Sequence, residues 1–212
     1  MADHQTEEQQ VEALKAFWHN NGNAIIAGLF IGFGSFIGYG NYQEHKLESE
    51  INTSEAYQNV LELADKDDEA YREAGEKFIN ENADSSYTAL TAFALAKDAA
   101  EHQDWQQAAK YLTTAIEKSS DNSLKAIATV RLARVQVQLE QYEQAIATVS
   151  QALPESFKAS VEEIKGDAYL KQEQLELART AYQAAIEASG QNVAPALQMK
   201  LDDLAQNIVL AK

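Results

Sequence analysis

The sequence predicts an all-α protein: a single N-terminal transmembrane helix followed by a solenoid of helical hairpins. Three observations predict it. The stretch from Asn23 to Gln43 carries no charge in a chain that is otherwise acidic. Alanine-centred segments recur at a nearly fixed period through the rest. Runs of β-branched residues are absent, and the only two prolines, Pro154 and Pro195, fall at breaks between helical patterns.

The first element is a tail, residues 1–22. Val11, Leu14, Phe17 and Trp18 follow helical spacing, so Gln10 to His19 reads as a short amphipathic helix lying at a membrane surface. The transmembrane helix, residues 23–43, comes next. As a helix, Gly22 to Tyr42 spans about 31 Å, against a hydrocarbon core of about 30 Å. Ile25, Ile26, Leu29, Phe30, Ile31, Phe33, Phe36 and Ile37 favour insertion by about −2.4 to −4.8 kcal/mol together. A cleaved signal peptide fits poorly, because the start is acidic and Gly40-Asn41-Tyr42 is a poor cleavage site. A buried soluble helix fits poorly too. Six of the nine glycines lie between Gly22 and Gly40, and each costs about 1 kcal/mol in such a helix. Trp18 on one side, with Tyr39 and Tyr42 on the other, suits the two interfacial belts. Ala24, Gly28 and Gly32 share one face, and Gly34 and Gly38 form a second small pair. These five are candidate contacts for another membrane helix, or simply the surface of an unpartnered anchor. Lys15 and Lys46 flank the span almost symmetrically, so charge leaves orientation open. The shortness of the tail favours keeping it in the cytoplasm.

Residues 44–53 lack Gly and Pro and read as a polar helical stalk continuing the span. The repeat domain, residues 54–212, follows. Its anchors are Ala74, Ala108, Ala145 and Ala178, spaced 34, 37 and 33 residues apart. Tyr71, Trp105, Tyr142 or Leu175 stands three before each; Phe78, Leu112, Val149 or Tyr182 stands four after. Ala115, Ala152 and Ala185 follow at plus seven, with Glu81 in the first copy. Ala96, Ala133 and Gly166 stand twelve before the last three anchors, with Glu62 in the first. This pattern resembles the tetratricopeptide repeat, in which small residues let paired helices approach and large ones fill the space between hairpins.

The expected pairs are Ser54–Asp65 with Asp68–Asn82, Ser86–His102 with Trp105–Ser119, Ser123–Glu140 with Tyr142–Ala152, and Phe157–Gln172 with Leu175–Ser189. A last helix, Pro195–Leu210, covers the open end. Asp104 and Asn122 are the expected N-caps.

The formal charge is −16, of which residues 1–23 contribute −3. Such a surface repels nucleic acid and anionic headgroups, so no nucleic acid partner is expected. The chain has no cysteine, which excludes disulfides, thiolate catalysis and Cys-based metal sites. None of His4, His19, His45 and His102 reads as paired at i, i+4 with another ligand type in a metal-like arrangement. No glycine-rich phosphate loop is present. The acidic runs read as solvated helix ends. No enzyme, cofactor or metal is expected; an unrecognised catalytic site would need several converging polar groups. The repeat resemblance implies a binding groove lined by the first helix of each pair, holding Phe93, Lys97, Val130, Arg134, Val137, Asp167 and Leu170. Arg134 could hold a partner carboxylate or make an ion pair within the chain.

The layout as a whole resembles the ancillary subunits of the bacterial Sec translocon. The resemblance rests on Gln10-Val11-Glu12-Ala13-Leu14-Lys15, Asn21-Gly22, the glycine-rich helix and Ala56-Tyr57-Gln58-Asn59. It rests further on Leu124-Lys125-Ala126-Ile127 and the segment from Arg131 to Leu139. It implies a bacterial inner-membrane protein with a cytoplasmic N-terminus, a periplasmic repeat domain and lipid contact through one helix. The implied partners are the Sec translocon, a membrane-anchored periplasmic chaperone of the prolyl-isomerase type, and secreted client polypeptides. The alternative from the flanking lysines is a membrane-anchored cytoplasmic docking receptor or scaffold.

Overall fold

The computed structural model describes residues 7–64 and 66–210. His4 and Asp65, which enter the expectations above, lie outside the described residues. Those residues form nine α-helices and no strand. The chain divides into two units, residues 1–52 and residues 53–212.

The first unit is carried by one helix, α1 (Glu7–Leu61), which extends into the second. It corrects two expectations. The amphipathic stretch Gln10–His19 is not a separate surface helix but the first turns of α1. Ser54 does not begin a new helix either. No Gly or Pro interrupts residues 44–61, so nothing breaks the backbone ladder there. Among the described residues α1 is the helix long and apolar enough to cross a membrane. Ile26, Leu29, Phe30, Ile31, Phe33, Phe36 and Ile37 are all exposed, Phe30 at 77% and Phe36 at 78%. Burying seven such side chains is worth on the order of 10–20 kcal/mol, a gain the chain's own fold leaves unrealised.

The second unit starts with residues 53–61, where Ala56, Tyr57 and Val60 pack against the first core cluster. Then come α2 (Asp68–Glu81), α3 (Ser86–Glu101), α4 (Trp105–Lys118), α5 (Asn122–Gln138) and α6 (Tyr142–Val149). After a short 3₁₀ turn at Glu155–Phe157 follow α7 (Lys158–Lys171), α8 (Leu175–Ser189) and α9 (Pro195–Leu210). Successive helices pack on one another, and α5 also touches α7. Packing confined to helices one or two places apart in sequence is the mark of a solenoid.

The hairpins are closed by three copies of one turn. Gln103, Glu140 and Glu173 take left-handed φ values of 60°, 60° and 61°. The next N–H in each reaches back to a carbonyl five residues earlier: Asp104 to Ala99 (2.8 Å), Gln141 to Gln136 (2.8 Å) and Gln174 to Tyr169 (2.9 Å). This pair of αL residue and 6→1 bond is the Schellman C-cap. It recurs at the period of the alanine anchors, so the repeat is visible in the backbone as well as in the side chains.

Packing explains the alanines. Ala108, Ala115, Ala145, Ala178 and Ala185 have no exposed surface. Ala152 departs from the pattern. α6 ends at Val149, its last turn closed by the Ser150 N–H and hydroxyl on Ile146 O, and Ala152 is exposed beyond it. Leu153 packs on the second core cluster instead. Among the glycines the tightest approach is at Gly166, where a Cβ would lie 2.4 Å from the ring of the fully buried Tyr182.

Replacing Gly166 by Ala is therefore expected to destabilise the repeat domain by about 1–3 kcal/mol, since a buried ring must shift. Chemical denaturation of the full-length protein in detergent measures this; an unchanged midpoint contradicts the close-approach argument.

Candidate functional site

Two of the first helices from which a groove is expected are α3 and α5. Ser85 caps α3 by accepting from Tyr87 N (3.2 Å). Asp121, not the expected Asn122, caps α5, accepting from Ser123 N (2.6 Å) and Leu124 N (2.9 Å). Those bonds hold its carboxyl below the usual carboxylate range. Asp121 stands one residue outside the helix, where an N-cap must be to reach N–H groups inside it.

These two helices border a depression of about 500 Å³. Ala96 and Ala100 of α3, Leu112 of α4 and Val135 of α5 form its floor. Phe93 forms one wall, and Lys97, Arg131 and Arg134 stand on the rim. The Arg131 guanidinium lies over the Phe93 ring, 5.5 Å from its centroid, a cation–π geometry. Lys97 pairs with Glu101 at 3.4 Å, both largely exposed. Arg134 Nη2 lies 3.9 Å from Glu163 Oε2. That is the ion pair within the chain weighed above. It is loose, because Glu163 also accepts from Lys200 Nζ at 2.8 Å.

The structure thus brings Phe93, Lys97 and Arg134 together and places the other four groove residues elsewhere. Val130 and Val137 are buried in the second core cluster and offer no surface to a partner. The physical reason is that α5 is sandwiched. Its Ala128 and Val135 face the first cluster, while Val130, Ala133 and Val137 face the second. Only the strip containing Arg131 and Arg134 stays open. Arg131 was missed by the sequence reading; its spacing of three from Arg134 places both on one helix face and could have found it.

Asp167 is committed to the closing end of the solenoid. It accepts from Lys200 Nζ (2.8 Å) and from the Tyr182 hydroxyl (2.8 Å). Burial and the adjacent Asp167 carboxylate push the Tyr182 phenol well above its ordinary value. Burial lowers the Lys200 ammonium, but Asp167 and Glu163 outweigh it and leave the group raised. Leu170 is partly buried against the third core cluster. Neither residue lines the depression.

A second, polar cleft of about 620 Å³ lies where α2, α3 and α4 meet. Several of its polar groups pair with one another or with Asp98 beside it. Arg72 Nε donates to Asp98 Oδ2 (2.7 Å), and Glu76 accepts from Tyr111 Oη (2.7 Å) and Gln107 Nε2 (3.2 Å). On its edge, Asp68, Asp98 and His102 bring ligand-type atoms within 4.8 Å of one another. Asp98 stands four residues before His102, a pairing the sequence reading overlooked; Asp68, 34 residues away, only the fold could supply. Arg72 already occupies Asp98, and the two imidazole nitrogens point at different acids, Nε2 at Asp68 (3.2 Å) and Nδ1 at Asp98. This geometry suits a helix-to-helix tie better than an ion.

Ala24, Gly28, Gly32, Gly34 and Gly38 are exposed on α1. A Cβ at any of the four glycines would meet nothing within 4 Å, so the protein's own packing does not require them.

Residues 15–206 match the family described as tetratricopeptide repeat-like domain. The chain is 34% identical to the ancillary SecYEG translocon subunit of Escherichia coli K12, over 97% of its own length and all of that protein. It is 30% identical to the protein of the same name from Haemophilus influenzae, over 93% of its length and 97% of that protein. Among solved structures, MamA from residue 41 onward of Desulfovibrio magneticus RS-1 superposes with a TM-score of 0.57 at 18% identity, covering 73% of this chain and 85% of that one. That likeness establishes the helical-hairpin fold alone.

The tie at His102 carries a pH dependence. Its imidazole sits above the ordinary value, first because Nδ1 bonds the Asp98 backbone carbonyl (2.9 Å) and then because of the Asp98 and Asp68 carboxylates; partial desolvation and Arg72 oppose them. A raised folded pKa means the stabilisation is complete below the unfolded value of about 6.5 and is lost as pH rises through the folded one. An NMR titration of the full-length protein in micelles, assigned with His102→Gln, should give a His102 pKa above that of free imidazole. Asp68→Asn should lower it; a value at or below the free one contradicts the tie.

Proposed function

The chain belongs to the tetratricopeptide repeat-like family of ancillary SecYEG translocon subunits, and on that premise we propose that it is a membrane-tethered, non-enzymatic interaction subunit at the Sec translocon. The observation that carries this reading is the combination within one chain of an exposed apolar helix and a hairpin solenoid with an open, cation-rimmed depression. Residues 23–43 cross the inner membrane, residues 1–22 lie in the cytoplasm, residues 44–53 form the stalk, and residues 54–212 form a periplasmic repeat domain. Trp18, Tyr39 and Tyr42, all exposed, support the two interfacial positions. Ala24, Gly28, Gly32, Gly34 and Gly38 are the contact surface for a neighbouring membrane helix. Their openness is consistent with a partner approaching the backbone closely. The repeat domain links secreted polypeptides to periplasmic chaperones, including a membrane-anchored one of the prolyl-isomerase type. This last step rests on the family resemblance.

Affinity purification of the full-length protein from mild detergent is expected to recover SecY and a prolyl-isomerase-type membrane chaperone. A preparation containing neither contradicts the proposal.

Orientation is tested separately. The chain contains no cysteine, and Gln191 is exposed between α8 and α9. A Gln191→Cys variant should react with a membrane-impermeant maleimide once the outer membrane is made permeable. Labelling only after the inner membrane is broken would put the domain in the cytoplasm and favour a docking scaffold there.

A further inference from the structure

We propose that the depression between α3 and α5 recognises an acidic peptide segment bearing a large apolar side chain, with Arg131 as its principal anchor. This rests on the interaction role just proposed and names the chemistry of the partner at that site.

The argument begins with charge. The chain has 33 acidic residues against 17 basic ones. Yet the rim of this depression carries three cations, Lys97, Arg131 and Arg134, and one acid, Glu101. Lys97 already has a partner, and the acid nearest Arg134 is shared. Glu101 stands 3.4 Å from Lys97, and Glu163 holds Lys200 more closely than it holds Arg134. Among the described residues no carboxylate pairs with Arg131; its guanidinium lies on the Phe93 ring with its N–H edge open. Stacking restricts the rotamers of a long side chain and leaves the planar fork free for a carboxylate. Arg131 and Arg134 stand three apart on one helix face, so their heads can meet two carboxylates of one segment.

Apolar complementarity adds to this. Ala96 and Ala100 lie one turn apart and are too small to fill the space between Phe93, Leu112 and Val135. The hollow is lined by apolar atoms, which suits a Phe or Leu side chain. An acidic segment is repelled by most of the remaining surface of a chain with net charge −16, so this patch is where it can settle.

The test uses the full-length protein in detergent micelles and fluorescence anisotropy. The probe is a fluorescein-labelled peptide with Glu-Phe-Glu-Leu-Glu between Gly-Ser flanks. One control peptide carries Lys for each Glu, a second carries Ser for Phe and Leu, and protein-free micelles serve as the blank. The acidic apolar probe should bind, and Arg131→Glu should weaken it by at least about tenfold. Arg131→Gln should give a smaller loss, and serves if the charge reversal disturbs folding. Arg179→Glu, an exposed cation on α8, should change nothing. No binding by the acidic probe, equal binding by either control peptide, or indifference to both Arg131 variants overturns the inference. If the probe fails while SecY still co-purifies, this inference falls alone. If SecY is absent while the probe binds through Arg131, the proposed function falls and the groove chemistry stands.

Discussion

The close approach of paired helices is the constraint on which the rest of the second unit depends. A solenoid has no single centre, so each hairpin must bury its own apolar stripe against its neighbours. Distance decides whether it can. With Ala at 108, 145 and 178, and Gly at 166, backbones come near enough for Leu112, Val149 and Tyr182 to fill the space between layers. The same spacing is imposed from the backbone by three Schellman turns, with non-glycine residues held at positive φ. Two independent devices, side-chain volume and turn geometry, therefore specify one repeat. Where one fails, as at the exposed Ala152, α6 is short and Leu153 takes over the packing.

Exposure of apolar side chains divides the chain. From Ile26 to Ile37, α1 displays Phe, Ile and Leu outward with no protein partner among the described residues. The repeat domain, by contrast, hides most of its large apolar side chains, Leu177 and Met199 being exceptions. The α1 backbone nevertheless continues without a break from Glu7 to Leu61. Its last turns are part of the domain's first core cluster. A helix needs no change of backbone to pass from one medium to the other; only its side chains change.

Charge then distinguishes the two clefts. In the polar one, Arg72 is bonded to Asp98, Gln107 and Tyr111 are bonded to Glu76, and His102 ties α2 to α3. At the far end, Lys200 fastens α9 to Glu163 and Asp167 of α7. Between them, the α3–α5 depression holds Arg131 over an apolar floor with no carboxylate paired to it among the described residues. That arrangement sets it apart as a place for an external partner.

The helices from α2 onward, their order, the repeat period and the membrane-length apolar segment were legible in the sequence; that the tail, the span and residues 54–61 share one helix was not. They depend on local spacing, composition and the volume of single residues, which a chain displays without folding. Even the loss of pattern in the first copy, Glu62 and Glu81, was readable. What tertiary structure alone decided is which face of α5 remains open. Periodicity marks Val130, Val137, Arg131 and Arg134 as members of a helix, but α5 is covered on two sides by different clusters. A helix packed twice has no single buried stripe, so its open strip is set by the angle at which neighbouring hairpins stack. The same holds for Asp167, whose carboxylate looks free until α9 folds back and brings Lys200, 33 residues away in sequence, to within 2.8 Å.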